Sequence, residues 1–270
     1  MDVRWNVIGS AVRSARRFFS EQRWSNVVAA RLLHGFPDRP PELVTDFATG
    51  PVMVIAPHMD DETIGCGGAV VRHRAAGVPV TVLFLADGSL GNSAHRRDPL
   101  LPAIRKQEAR RAAEVLGGLE LRYLDVPDGE VKPDPATVAR IVDHLLAVKP
   151  ALVYVPTIFD THRDHRAGCR ATSRALACLA DETICREYEV WAPLLPNRIV
   201  DITDVLETKL AALKCYDSQL QSLDYVAITR GLSMYRTMHR LHGRGAAEAF
   251  CDFSIATHRR LLRALKDRRP

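Results

Sequence analysis

Nowhere in these 270 residues does an apolar run approach the ~18 residues of a membrane-spanning helix, which excludes an integral helical membrane protein. The opening MDVRWNVIGSAVRSARRFF is broken by arginine too often to be a secretory core, so a cytoplasmic chain is expected. The six cysteines (66, 169, 178, 185, 215 and 251) contain no CxxC pair. Disulfide frameworks belong to short secreted chains, so reduced and mostly buried thiols are expected here. Aromatic residues make up only 6%, and there is neither an internal repeat nor a low-complexity stretch. With 47% hydrophobic and 26% charged residues, intrinsic disorder is excluded too.

Lysine is scarce, 6 against 31 arginines, a bias that fits a GC-rich genome. The net charge of +5 is unevenly spread. From Arg230 onward ten basic residues face three acidic ones, which leaves the rest of the chain at −2. Basicity is thus confined to the C-terminal tail and, more weakly, to the N-terminal segment with Arg13, Arg16 and Arg17. No nucleic-acid module accompanies it, so a nucleic-acid partner is not expected. A solvated tail is the plain reading; the alternative is docking to an anionic membrane or an acidic partner through the basic ends.

Residues 1–48 read as a helical N-terminal extension, closed by Pro37, Pro40 and Pro41. Residues 49–255 form the main domain, and 256–270 a basic tail. Within that domain, apolar runs at 52–56, 78–86, 119–124 and 151–156 predict strands. Between and after them, 65–77, 103–116, 135–148 and 167–179 predict helices. Strands that are apolar throughout and alternate with helices imply parallel β buried on both faces. The fold class is α/β, a Rossmann-like doubly wound, mostly parallel sheet flanked by helices. Such sheets bind ligands at the carboxyl ends of strands, where strand order reverses.

Two loops starting at such ends carry the chemistry. His58, Asp60, Asp61 and Glu62 follow the first strand, and His162, Asp164 and His165 the fourth. Each alone passes for a turn, an N-cap or a surface loop. Together they bring imidazoles and carboxylates to one rim and predict a metal site. A catalytic Zn²⁺ takes three mixed N and O ligands and leaves a fourth position for water. Two histidines and one aspartate suffice, with one carboxylate of the Asp60–Asp61 pair left for proton transfer. Magnesium would want more carboxylates, whereas Fe²⁺ or another divalent metal stays open on ligand type. Glu62, at a helix start, reads as a cap or a support behind the ligands. Gly65, Gly67 and Gly68 do not match a dinucleotide loop and are expected to permit close packing under the metal loop. His73, His95, His144, His239, His242 and His258 read as ordinary.

The string from Ala56 through His58, Asp60, Asp61, Glu62 and Gly65 to Gly68 closely resembles the signature of the PIG-L/LmbE-like N-deacetylases. The resemblance continues through Arg105 and Glu108, His162–His165, Lys209–Gln219 and Gly243–Phe250, spanning about residues 51 to 253. Met59 stands where the family usually has proline. What the resemblance implies is a zinc enzyme acting on N-acetylglucosaminyl compounds. His58, Asp61 and His165 would be the ligands and Asp60 the general base. His162 would stabilise the oxyanion or protonate the leaving amine, Asp164 would orient it, and Arg105 would lie near the substrate. The expected partner is a small-molecule or lipid-linked amino sugar. Cleavage of another sugar-linked amide, or a non-catalytic sugar- or metal-binding module, are the rivals. Substrate breadth is expected in loops 87–102 and 125–135 and after Pro193, with 87–99 as a lid.

Overall fold

A computed structural model describes residues 40–47, 50–91 and 96–256. Residues 1–39 of the helical extension expected over 1–48, residues 257–270 of the basic tail expected over 256–270 with its docking role, His95 and His258 lie outside the described residues. Among the described residues eight strands form one sheet: β1 (Glu42–Leu43), β2 (Val52–Ala56), β3 (Val80–Ala86), β4 (Glu120–Val126), β5 (Leu152–Pro156), β6 (Ile184–Tyr188), β7 (Arg198–Asp201) and β8 (Ala247–Ser254). Their spatial order is β1-β7-β8-β6-β5-β2-β3-β4. Only β8 runs antiparallel to its neighbours.

The two faces of the sheet follow from the period of two along each strand. Val52, Val54, Val82 and Phe84 enter one core cluster, and Met53, Ile55, Leu83 and Leu85 the other. Helices α1 (Asp61–Ala75) and α2 (Leu101–Val115) cover the first face through Ala69, Val70, Ala109 and Ala112. Helices α3 (Pro135–Val148) and α4 (Arg163–Ala175) cover the second through Ile141, Leu145, Ala171 and Ala175. The doubly wound α/β class expected from the sequence is what the chain adopts.

The end of the segment expected to be helical is instead extended. Glu42 and Leu43 pair in parallel with Arg198 and Ile199 at the sheet edge, and Arg240 binds the Pro41 carbonyl. A proline-rich stretch cannot supply helical N–H donors, so it lies along an edge strand instead. None of the six cysteines is in a disulfide. Among the described residues no helix is long and apolar enough to cross a membrane.

Helix α1 is broken at Cys66, whose φ of −144° is non-helical. A break exposes N–H groups, and Glu248 of β8 accepts from Gly68 and Ala69 at 2.7 and 2.8 Å. Lys209 of α5 (Leu206–Leu213) neutralises that buried carboxylate at 2.7 Å. The glycines let this helix approach the sheet: a Cβ at Gly65 would stand 2.1 Å from Tyr188, and one at Gly68 2.5 Å from Ile202.

Candidate active site

From β2 the chain proceeds outward through β3 to β4, whereas β5 and β6 lie on the other side. The crevice between β2 and β5 is therefore the switch point, and both loops singled out in the sequence open into it. After β2, Asp60 takes a φ of 144°, a region costly for any residue with a Cβ. That turn separates neighbouring carboxylates. Asp61 starts α1 and accepts from the His58 N–H at 2.8 Å, while Asp60 lies 3.5 Å from Arg105. Met59, in the place of the usual proline, is fully buried in the core, and its carbonyl accepts from Arg105 at 2.6 Å.

After β5, His162 caps α4 and His165 sits in its first turn. His58 Nδ1, Asp61 Oδ2 and His165 Nε2 then form a triangle with edges of 3.1, 3.2 and 3.4 Å. Donors bound tetrahedrally at ~2.0–2.1 Å would stand about 3.3–3.4 Å apart. Looser groupings exist as well: donors of His58, His162 and His165, and of His58, Asp128 and Asp164, fall within 4.8 Å of one another. The tight triangle is the better metal cradle, because the outer nitrogens are already engaged. His58 Nε2 lies 3.4 Å from Asp128 and 3.6 Å from Asp164, and His165 Nδ1 lies 3.1 Å from Asp160. With a metal in the triangle both imidazoles would turn a protonated nitrogen outward to a carboxylate and a lone pair inward, the arrangement of metal-bound histidines. Two lone pairs and an anionic oxygen facing one point call for a cation, so the residues fit a divalent metal.

In the metal-free chain protons on the two imidazoles balance the carboxylates, and a bound cation would displace them. Burial alone would lower both imidazoles, yet Asp128, Asp164 and Asp61 hold His58 well above its ordinary value. Burial is likewise outweighed at His165, which Asp61 and Asp160 lift to about 9. Asp61 is held well below the carboxylate range by His165 and His58, against its burial. Asp60 goes the other way: burial pushes it up to about 7, against the pull of Arg105. Two adjacent aspartates are thereby driven apart, one to a fixed anion and one to a proton acceptor poised near neutrality.

His162 is half-buried, its ring 4.8 Å from those of both His58 and His165. Its Nδ1 accepts from the Asp164 N–H at 3.3 Å, which leaves the ring proton on Nε2. Burial and the neighbouring histidines lower its pKa, so it is a neutral donor at pH 7. The Asp164 carboxylate, expected beside His162, instead faces His58 and accepts from the Gly129 N–H at 2.7 Å. The backbone of Asp164, not its side chain, orients His162.

Glu62 is a support, buried beneath the loop, accepting from Asp60 N–H at 3.2 Å, Thr63 at 2.5 Å and Tyr216 at 2.6 Å. Glu108 likewise holds Ser218 through its N–H and hydroxyl at 2.8 and 2.7 Å. His73, taken as ordinary, is buried between the Phe47 carbonyl at 2.9 Å and the Tyr154 hydroxyl at 3.0 Å. Asp128 and Asp160 were not singled out in the sequence. Both stand just past the carboxyl end of a strand, β4 and β5, which is the available signal. The whole site opens into a cleft of ≈ 620 Å³ whose walls include Leu90, Gly91, Arg105, Arg163, Trp191 and Tyr225. Leu90 and Gly91 belong to the loop expected to be a lid, and Gly91 is fastened to Gln219 at 2.8 Å.

The chain was compared with known proteins. A family model described as PIG-L, GlcNAc-PI de-N-acetylase, matches residues 53–176. A diacetylchitobiose deacetylase of Thermococcus kodakarensis is 31% identical over 185 residues, 62% of this chain and 69% of the relative. A 4-oxalmesaconate hydratase of Pseudomonas putida is 28% identical over 211 residues, 69% of this chain and 81% of the relative. Among solved structures, the N,N'-diacetylchitobiose deacetylase from Pyrococcus horikoshii shares the fold with a TM-score of 0.68 at 24% identity, over 76% of this chain and 84% of that one.

Proposed function

We propose, for a chain that belongs to the PIG-L/LmbE-like deacetylase family, hydrolysis of the N-acetyl group of an N-acetylglucosaminyl compound, giving acetate and a free amine. The observation that carries this is the Asp60 carboxylate, buried and near neutral in pKa, beside the His58–Asp61–His165 triangle. A purely binding module has no use for a spare carboxylate held at such a pKa. His58, Asp61 and His165 would hold the metal, and two imidazoles with one carboxylate suit zinc. When bound, such an ion supplies Lewis acidity toward an amide carbonyl and lowers the pKa of a water.

The protein's own groups then divide the proton work. Asp60 accepts the proton of the attacking water, which its raised pKa favours. The Nε2–H of His162 donates to the oxyanion of the tetrahedral intermediate. Being neutral at pH 7, His162 is better placed for that role than as a strong acid. The proton held by Asp60 is available to the departing amine. Arg105 fixes the Met59 carbonyl and thereby the loop, and as part of the cleft wall it would lie near the substrate.

The hydratase relative favours a second reading, addition of water to a double bond. Its named substrate is a polycarboxylate. This cleft places Asp60, Asp61 and Asp128 on the wall against Arg105 and Arg163, and Arg105 already faces Asp60. With a divalent cation in the triangle the charges of that wall nearly cancel, so the acetate assay, not charge, separates the two readings. The test is acetate release from N-acetylglucosaminyl conjugates by metal-loaded protein, with and without chelator. Chelator-sensitive acetate supports the proposal. Water uptake by an unsaturated polycarboxylate without any acetate release would replace it.

A further inference from the structure

A surface helix normally turns its apolar side to the core and its polar side to water. Helix α6 (Tyr225–Tyr235), with the turn Arg236–His239 that continues it, does the reverse. Its inward side is polar: Thr229, Ser233, Arg236 and Thr237 are 1–4% exposed. Its outward side carries Ile228, Met234, Tyr235 and Met238, which are 49–62% exposed. Their spacing keeps these four side chains within about a third of the helix circumference, and Ala227 and Gly231 fill the strip without adding a charge. The polar side is tolerated inside because its charge is paired. Arg236 binds both carboxylate oxygens of buried Glu189, through Nε at 2.8 Å, and the Leu194 carbonyl at 3.0 Å. Tyr225, in the first turn, lines the cleft and meets Trp191 edge-on at 6.2 Å, so the strip begins at the cleft mouth.

Charge of one sign accompanies the strip. Between Tyr225 and Ala247 the sequence has four arginines and no aspartate or glutamate. Two of the four are neutralised: Arg236 by Glu189, and Arg230 by Glu207 of α5 at 2.8 Å. Arg244 is exposed, and Arg240 binds the uncharged backbone carbonyls of Pro40 and Pro41, so both keep their charge. That last contact also fixes where the preceding chain arrives. Residues 1–39, with seven arginines against three acidic residues, join the described structure beside the far end of the strip.

These charges choose the occupant. A second copy docked here about a two-fold axis would set an arginine-bearing surface against itself. Residues 1–39 share the same sign, so laying them over the strip brings no complementary charge either. Anionic lipid headgroups meet both demands, an apolar boundary for the outward side chains and negative charge for the arginines. We infer that the outward face of α6 and its turn docks on an anionic phospholipid surface, a peripheral contact through Ile228, Met234, Tyr235 and Met238 flanked by Arg240 and Arg244. This contact goes beyond the hydrolytic reaction proposed above and does not depend on it.

The experiment sediments the full-length protein with vesicles of phosphatidylcholine alone and of phosphatidylcholine with phosphatidylglycerol, at low and high salt. The wild type is expected to partition onto the anionic vesicles, far less onto the neutral ones, and to be released by salt. Met238→Glu is expected to lower that partitioning by about tenfold, and Met238→Leu to keep it. Leu146→Glu makes the same change of charge at a 49% exposed position of α3, on the opposite face of the sheet, and should stay within about twofold of the wild type. Thermal unfolding checks that each variant is folded, and Tyr235→Ser takes the place of Met238→Glu should that one fail. Undiminished binding in Met238→Glu, or equal losses in Met238→Glu and Leu146→Glu, would assign the attraction to the basic ends of the chain and overturn the docking face. A wild type that ignores anionic vesicles would overturn it as well. Self-association abolished by Met238→Glu, without vesicle binding, would give the strip to a second copy instead.

Discussion

Replacing Asp60 by asparagine should make the metal-free protein more stable and the loaded protein nearly inactive. The side chain is 8% exposed, and burial lifts its pKa from 3.8 to about 7 even with Arg105 at 3.5 Å. A carboxyl raised in the folded state binds its proton more tightly there than in the unfolded chain. The penalty of ionising it is therefore absent below pH 3.8 and grows as pH rises to about 7. At ~1.4 kcal/mol per unit, three units set a ceiling of roughly 4 kcal/mol. Neighbouring charges rearrange when one ionises, so about 2 kcal/mol is the reasonable expectation. Asparagine keeps the shape, leaves the backbone strain at φ 144° unchanged and carries no charge to desolvate.

The assay is urea unfolding of chelator-treated wild type and Asp60→Asn at pH 8 and pH 5. The variant should be more stable at pH 8, and the gap should shrink at pH 5. Loaded with metal, the variant should keep about one ion per chain by elemental analysis and lose ~10²–10⁴ in kcat, the usual contribution of a general base. A bound cation stabilises the ionised carboxylate, so the ascending limb of the wild-type rate profile should lie at or below about 7. Asp61→Asn is the control. It removes the anionic corner 3.2 Å from His165 and should lose the metal itself. Equal metal loss in both variants, or full turnover in Asp60→Asn, would refute the division of labour.

His73 is buried as a neutral imidazole with its pKa lowered to about 4 by burial, so it contributes stability above about pH 6.5 that is lost as pH falls toward 4. His73→Asn should flatten that acid limb by up to ~3 kcal/mol in denaturant titrations, and an unchanged limb would count against the account. Lys209→Met leaves Glu248 charged and unpaired beneath α1 and should cost ~3–5 kcal/mol, whereas Lys209→Met with Glu248→Gln should cost clearly less than the sum of the singles. Gly68→Ala places a Cβ 2.5 Å from Ile202 and should lower Tm, with Ile202→Ala recovering part of the loss.

What the sequence shows and what it hides follow from the range of the interactions. β2 and β5 are apolar at every position, which only a strand buried on both faces requires, and each ends at once in a histidine–aspartate loop. Local pattern thus suffices for the centre of the sheet and the switch point, and the family-like strings for the choice of His58, Asp61 and His165 as candidate ligands. The outer half of the sheet is different. β6 reads Ile184–Cys185–Arg186–Glu187–Tyr188, with two charges in five residues, and carries no strand pattern. In the fold Arg186 stands opposite Asp252 of β8 and binds both its carboxylate oxygens at 2.6 and 2.7 Å. Each charge is tolerable inside only because the other, 66 positions away, neutralises it. The same holds for Lys209 with Glu248 and for Glu62 with Tyr216, residues that stand in the family-like strings without showing locally what they touch. Hydropathy scores each of these as a surface residue, because its partner enters the calculation only once the chain has folded. The supports of this site are therefore legible as chemistry only in pairs, whereas its histidine–aspartate loops are legible as a candidate metal site once the two are read together.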